Sequence, residues 1–301
     1  MKKWLAIFLS IVSLLGLTAC GSRNNDGDEK TDKISVSVTF DAMKEFTEIV
    51  GGDHVQVSTI IPDGTEPHDF EPKAQDLKAL STANVFVYNG FGMETWVDDA
   101  VSAADNSSLV TVEASKGAEA ITNTDEAEIS EHGQYDPHLW LSLKGAETEA
   151  QNIRDGLIQA DPDHAEDYRT NCSAFVAQLE SLYQEYDQNF QSVSNKSIVT
   201  GHAAFAYLCR DFGLTQNSVE DVFAEGEPSA QQLTKLVEYC KQNQVKTIFA
   251  EELASPDVSK TLADEVGATV KTIYTIESAE DGKSYLDRMK DNLSEIYESL
   301  R

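Results

Sequence analysis

The 301-residue sequence has few basic residues, few cysteines and only one long apolar run. Lysine and arginine number 23 against 52 aspartates and glutamates, so the formal net charge is −29. Proteins that bind nucleic acid neutralise phosphates with basic patches, so a chain this acidic is not expected to have a nucleic-acid partner. The charge suits cationic ligands, but an acidic surface by itself also serves solubility and identifies no site.

The apolar run covers residues 4–17 and is too short to span a bilayer as a helix. Two lysines precede it and small residues follow it, which predicts an export signal peptide over residues 1–19. The signal ends in LTAC, which resembles the lipobox of bacterial lipoproteins and implies a lipid such as palmitate attached to Cys20. An ordinary signal peptide that happens to end near a cysteine is the alternative. Residues 20–32 are polar and aperiodic, which predicts a flexible, lipidated tether.

Besides Cys20, the chain has three cysteines, an odd number that cannot all pair within the chain. Cys209 and Cys240 follow apolar residues at helical spacing, which predicts thiols that face a core. We therefore expect no required disulfide among Cys172, Cys209 and Cys240. Outside the cytoplasm, however, one pair of them could form a disulfide bond.

From residue 33, short β-rich runs alternate with amphipathic stretches, which predicts parallel strands joined by helical crossovers. A longer stretch in which apolar residues recur every three or four positions follows Pro162. It predicts a helix with Asp161 as the N-cap and Pro162 as the first helical residue. The α/β alternation then resumes and includes a capping box at Ser229 and Gln232. The prediction is an α/β fold of two lobes with mostly parallel sheets flanked by helices. The expected parts are an N-terminal lobe over residues 33–160, a long connecting helix over 161–192 and a C-terminal lobe over 193–301.

Three of the six histidines are candidate metal ligands. His68, His138 and His202 follow predicted strands or lie in turns bounded by proline or glycine, where α/β folds place ligands. Each one alone is explained equally well as a histidine satisfied by backbone groups. Together, three imidazoles and one carboxylate would complete a tetrahedral zinc shell, although their separations of 70 and 64 residues match no local zinc motif. The other histidines, His54, His132 and His164, are expected at the surface.

The segments PHDFEP, DPHLWLS, TGHAAFAYL, GEPSAQQLTKL and IFAEE together resemble the cluster A-I substrate-binding proteins, which are the metal-binding lipoproteins of ABC-type zinc and manganese importers. The resemblance covers nearly the whole chain after the tether, in order. It implies a metal cleft between two lobes, with ligands at His68, His138 and His202. The fourth ligand falls on Glu277 in IYTIES, where family members more often have an aspartate before Pro-Leu and the zinc members nearest this chain have a glutamate. Zinc-type members have a histidine at the third position, so His202 favours zinc over manganese, as nitrogen ligands do.

The resemblance implies an extracytoplasmic, high-affinity zinc-binding protein that captures one Zn²⁺ per chain and delivers it to an ABC permease for import. It also implies a monomer attached to the bacterial cell membrane by the lipid on Cys20. Manganese or iron import on the same fold is the alternative. A secreted zinc hydrolase is a further one, but the chain has no His-Glu-x-x-His pattern and no nucleophile motif, so no enzyme is expected.

Two acidic segments near the expected cleft have separate interpretations. Many zinc-type relatives have a histidine-rich stretch between the first two ligands, whereas the matching loop here has only His132 among acids and is expected to be a solvated segment. Glu251 and Glu252 end a predicted strand beside the cleft, and metal-bound histidines usually need such outer partners. Because imidazoles must lose protons to bind metal, we expect metal affinity to fall as the pH drops through about 6 to 7.

Overall fold

Two four-stranded parallel sheets form the framework of the chain. They are seen in a computed structural model that describes residues 33–123, 129, 133–222, 229–251, 256–279 and 281–301. The first sheet has the order β2-β1-β3-β4, and its strands are β1 (Ile34–Val38), β2 (Val55–Thr59), β3 (Val85–Tyr88) and β4 (Val110–Glu113). The second sheet has the order β6-β5-β7-β8, and its strands are β5 (Ser197–Thr200), β6 (Thr215–Ser218), β7 (Thr247–Glu251) and β8 (Thr269–Ile273). All their pairings are parallel, as the alternating sequence pattern predicts.

Helices cover the faces of both sheets. In the first lobe they are α1 (Asp41–Gly51), α2 (Val97–Ala104) and α3 (Leu143–Ala160). The connecting helix is α4 (Ala165–Ser192), and the second lobe contains α5 (Ala206–Phe212), α6 (Ala230–Gln242), α7 (Asp257–Val266) and α8 (Tyr285–Ser299). The predicted capping box is confirmed, because the Ser229 hydroxyl accepts from the Gln232 N–H while the Gln232 side chain accepts from the Ser229 N–H.

The long helix α4 has 28 residues and a length of about 42 Å. It begins later than predicted, because Pro162–His164 forms a 3₁₀ turn before it. The Asp161 carboxylate accepts from His164 Nδ1 and from the Tyr168 hydroxyl, both at 2.7 Å, instead of capping backbone N–H groups. The lobe bounds given above remain predictions, and Lys33–Arg301 form one compact unit.

One large hydrophobic core extends from the first sheet across α4 to one face of the second sheet. Phe46 of α1, Phe175 of α4 and Tyr285 of α8 meet in it, with ring centroids 4.7 to 6.1 Å apart. A smaller core lies between the other face of the second sheet and helices α6 and α7. Because Tyr285 packs against Phe46 of α1 in the large core, the last helix, α8, packs with the first lobe. The core-facing positions predicted for Cys209 and Cys240 are confirmed, and Cys172 is also a buried thiol.

Several sequence predictions concern residues outside the described ranges. They are the signal peptide over residues 1–19, the tether over 20–32 with Cys20, the acidic loop over 124–128 and 130–132 with His132, and Glu252. Within the described part of the chain, no helix combines the length and apolarity needed to cross a membrane.

Candidate metal centre

The four candidate ligands, distant in sequence, meet in one cluster. His138 Nε2 lies 3.1 Å from His68 Nε2, 3.3 Å from His202 Nε2 and 3.9 Å from Glu277 Oε1. One ligand atom from each side chain lies within 4.8 Å of all the others. In a tetrahedral zinc site with Zn–N bonds near 2.05 Å, two nitrogens are about 3.3 Å apart. The two nitrogen distances from His138 therefore match the edges of a zinc tetrahedron.

His138 is fully buried and is oriented by Asp136. One carboxylate oxygen of Asp136, Oδ1, accepts from the His138 backbone N–H and from the ring Nδ1, both at 2.9 Å. This hydrogen-bond network assigns the ring proton to Nδ1, which leaves the Nε2 lone pair directed at the cluster. Sequence reasoning missed Asp136. The available signal is its position two residues before His138, where an aspartate side chain reaches the backbone N–H.

His202 follows β5 at a point where the chain approaches β7 closely. Glu251 Oε1, at the end of β7, accepts from the His202 backbone N–H at 3.1 Å and lies 3.8 Å from Nδ1. A Cβ on Gly201 would come 1.9 Å from Glu251 Oε2, so any larger residue here would displace the Glu251 carboxylate from its present position. Glu251 is thus an outer partner of His202, as the sequence interpretation allowed.

The electrostatic environment keeps the His202 imidazole neutral. Burial, followed by the influence of His138, lowers the pKa of His202 well below its ordinary value. A neutral imidazole has the lone pair that metal binding requires. The ring is therefore in a ligand-competent state at neutral pH.

His68 is partly buried and lies in a loop bounded by prolines. The Phe70 N–H donates to the Pro67 carbonyl at 3.3 Å, and the His68 N–H donates to Glu66 Oε1 at the same distance. These contacts form a local turn around His68. Because proline restricts the backbone, the sequence predicts that Pro67 and Pro72 hold the His68 imidazole ready before a metal arrives, and this stays a prediction.

Glu277 is 4% exposed and follows an unusual backbone position. Ile276 has a φ of +58°, a conformation that is rare for β-branched residues and costs of order 1–3 kcal/mol. The Thr275 hydroxyl donates to Glu277 Oε2 at 2.9 Å, while Oε1 is the atom nearest to His138. The strained turn thus directs one carboxylate oxygen into the cluster.

His54 and His164 lie outside the cluster. Their rings stack with centroids 3.9 Å apart, and their side chains are 27% and 31% exposed. His54 Nε2 pairs with Asp167 at 2.9 Å, and His164 pairs with Asp161. Among the residues that the structure describes, His68, His138, His202 and Glu277 are the one group of three or more such side chains whose ligand atoms all lie within 4.8 Å of one another.

The fold and the cluster together define a class: a two-lobed α/β binding protein with a largely buried site of three imidazoles and one carboxylate that could hold a metal ion. Comparison with known families identifies the group within this class. Residues 36–299 match the model of ZnuA, described as "Zinc-uptake complex component A periplasmic", and the chain belongs to this family.

Individual relatives agree with this membership. The chain is 44% identical over 287 residues to a putative metal-binding protein of Treponema pallidum, covering 93% of this chain and 91% of the relative. It is 37% identical over 314 residues to the high-affinity zinc uptake system protein ZnuA of Bacillus subtilis, covering 99% and 98%. The crystal structure of a Zn(II)-bound AdcAII variant of Streptococcus pneumoniae aligns with a TM-score of 0.82 and 33% identity, over 90% of this chain and 99% of that chain.

Proposed function

We propose that this chain captures Zn²⁺ outside the cytoplasmic membrane and delivers it to an ABC permease for import. His68, His138, His202 and Glu277 are the ligands in this proposal, and one ion binds per chain. Membership of the zinc-uptake family supports the transport role. The relatives described by name as zinc uptake or Zn(II)-bound proteins support the choice of metal.

The observation that carries the proposal is the close approach of three imidazole nitrogens in a buried cluster. The two Nε2 to Nε2 distances at His138, 3.1 and 3.3 Å, lie near the edge of about 3.3 Å expected for tetrahedral zinc. Three nitrogens and one oxygen suit zinc, whereas manganese prefers shells richer in oxygen. The donor set therefore favours zinc over manganese or iron.

The same donor set argues against an enzyme. A catalytic zinc keeps one position open for water, whereas four protein ligands close a tetrahedral shell. Capture and release of the ion are the chemistry that a closed shell supports. We further propose that the protein is a monomeric lipoprotein, attached to the bacterial cell membrane through a palmitate-type lipid on Cys20.

Metal analysis of natively purified protein tests the function. We expect close to one equivalent of zinc per chain, and preferential retention of zinc when manganese competes at equal free concentration. Alanine substitution of His68, His138 or His202 is expected to weaken zinc binding strongly. The matched controls are His54→Ala and His164→Ala, which remove imidazoles outside the cluster and are expected to leave affinity unchanged. Preferential retention of manganese would overturn the choice of metal.

A further inference from the structure

The backbone of His202 is held by residues of the second sheet. Its backbone N–H donates to Glu251 of β7 at 3.1 Å. Its carbonyl accepts from the Thr200 hydroxyl of β5 at 2.6 Å and from Gln216 Nε2 of β6 at 3.1 Å. These three partners tie the placement of this imidazole to the position of the second lobe.

The loop that carries Glu277 also follows a strand of the second sheet, but it is bonded to the first lobe. Three donors of the first lobe reach this loop, from the first residue of α1, from the loop after β2 and from the turn before α3. They are Asp41 N to the Glu277 carbonyl at 3.4 Å, Gly64 N to Ser278 Oγ at 2.7 Å, and Trp140 Nε1 to the Thr275 carbonyl at 2.7 Å. These contacts assign Glu277 to the first lobe, which also carries His68 and His138.

Arg288, in the first turns of α8, lies at the centre of this attachment and is 2% exposed. Its Nη1 donates to Asp41 Oδ2 of α1 at 2.9 Å and to the Ser278 carbonyl at 3.1 Å. Its Nε donates to Asp281 Oδ1 at 3.0 Å. One guanidinium thus bridges Asp41 of the first lobe to Ser278 and Asp281, which both follow Glu277, a geometry that a planar fork of donors supports and a single ammonium does not.

The start of α8 is fixed to the first lobe as well. The Tyr285 N–H donates to Glu45 Oε2 of α1 at 2.7 Å, and the Tyr285 hydroxyl donates to the Trp140 carbonyl at 2.7 Å. The Tyr285 ring packs edge-on against Phe46 with centroids 4.7 Å apart. The first turn of α8, which carries Arg288, is therefore attached to the first lobe, as is the loop that Arg288 contacts.

We propose that Arg288 is a positioning residue for metal binding, which clamps the loop over residues 274–279 to α1. Glu277 then stays with His68 and His138 as a preformed set of three ligands. Release of the ion begins when the second lobe withdraws His202. The proposal rests on the proposed function in taking the four side chains to be zinc ligands, but the clamp itself is defined by contacts that need no metal.

A double-mutant cycle on zinc affinity separates positioning from general destabilisation. Arg288→Met is expected to raise the zinc Kd at least tenfold when Glu277 is present, and less than twofold in a Glu277→Gln background, because no carboxylate ligand then remains to be positioned. Arg288→Lys should recover part of the loss. Arg169→Met, which removes an exposed arginine of α4, is the control and should leave the Kd unchanged. Equal losses in both backgrounds would overturn the positioning role.

If Arg288→Met does not fold, Ser278→Ala takes its place in the cycle. This variant removes only the hydroxyl that accepts from Gly64, and a loss of about threefold that disappears in the Glu277→Gln background is expected. An equal loss in both backgrounds would again contradict the proposal.

Hydrogen exchange followed by mass spectrometry on the full chain tests the grouping of the ligands. With Zn²⁺ added, amides at 200–204 should exchange more slowly, whereas amides at 274–279 should be equally protected with and without zinc. Protection of 274–279 that depends on zinc as strongly as that of 200–204 would refute the grouping. In metal-free protein, Arg288→Met should speed exchange at 274–279 at least tenfold, and an unchanged rate would refute the clamp. If wild-type protein bound no zinc, the proposed function would fail while this metal-free comparison still decided the clamp.

Discussion

Replacing Asp136 by asparagine is expected to weaken zinc binding by about tenfold. The carboxylate accepts from both the ring Nδ1 and the backbone N–H of His138 at 2.9 Å, and both side chains are almost fully buried. A hydrogen bond to a charged group contributes about 1.5–3 kcal/mol, and a neutral one about 1 kcal/mol. Asparagine can keep the acceptor but loses the charge, so the expected loss is about 1–2 kcal/mol. Since 1.4 kcal/mol corresponds to a factor of ten, the zinc Kd should rise about 5- to 30-fold.

Competition against a chelator of known affinity measures this change, with a thermal melt of the metal-free protein to verify folding. The matched control is Asp167→Asn, because Asp167 also accepts from a histidine nitrogen at 2.9 Å, at His54 outside the cluster. Only the Asp136 variant should lose affinity. Equal Kd values for the two variants would refute the argument that Asp136 sets the tautomer and orientation of a ligand.

Three further predictions concern other parts of the structure. Gly201→Ala should destabilise the protein by about 1–3 kcal/mol and weaken zinc binding, since the new Cβ would meet Glu251 Oε2 at 1.9 Å; an unchanged melt and Kd would contradict this. Burial, opposed by the Tyr285 N–H and reinforced by Asp41, raises the pKa of Glu45 from 4.5 to about 7. The folded state therefore holds this proton more tightly than the unfolded chain, so its stabilising contribution is complete below pH 4.5 and is lost as the pH rises through 7. Denaturant titrations of wild type and Glu45→Gln at a series of pH values measure this effect. The difference between their free energies of unfolding should change by at most about 3 kcal/mol over this pH range, and a difference that does not change with pH would exclude it. Zinc affinity should fall on acidification, because protons compete for the imidazoles, and since burial lowers the pKa of His202 the loss should continue below the ordinary range of about pH 6 to 7. Equal Kd values at pH 5 and 8 would argue against a site of several histidines.

The parallel sheets and most strand positions follow directly from the sequence, because short β-rich runs such as ISVSV at residues 34–38 alternate with amphipathic stretches. Helix α3 was missed, since two glycines and a buried acid interrupt its apolar period. A Cβ on Gly145 would meet the Leu139 carbonyl at 2.2 Å, and one on Gly156 would meet Val112 at 2.2 Å. Glu149 is fully buried on the same helix, and burial raises its pKa well above the ordinary value. Close packing therefore explains why glycines and an acid stand on the buried face of this helix, where apolar residues at helical spacing would have identified it.

The candidate ligands could be predicted to the extent that each stands near a recognisable turn or strand end. His68, His138 and His202 have such positions, and the resemblance to a metal-binding family supplied Glu277. What the sequence could not supply is the backbone that makes Glu277 useful, since nothing in the residue type of Ile276 predicts a φ of +58°. Such strain persists only when surrounding contacts enforce it, and those contacts come from distant parts of the chain.

The position of Glu277 in the sequence and its contacts therefore assign it to different lobes. Sequence order places it after β8, in the predicted C-terminal lobe, whereas its loop is bonded to Gly64 and Asp41, which lie 214 and 236 positions away from their partners in the loop. The physical reason is that α8 returns to the first lobe and packs in its core, so the segment between β8 and α8 is held from that side. A split of three ligands against one then has a kinetic meaning. If the four side chains bind zinc as proposed, withdrawal of His202 would open the shell to water while three donors still held the ion, so release would proceed by exchange of ligands rather than by loss of the whole site at once.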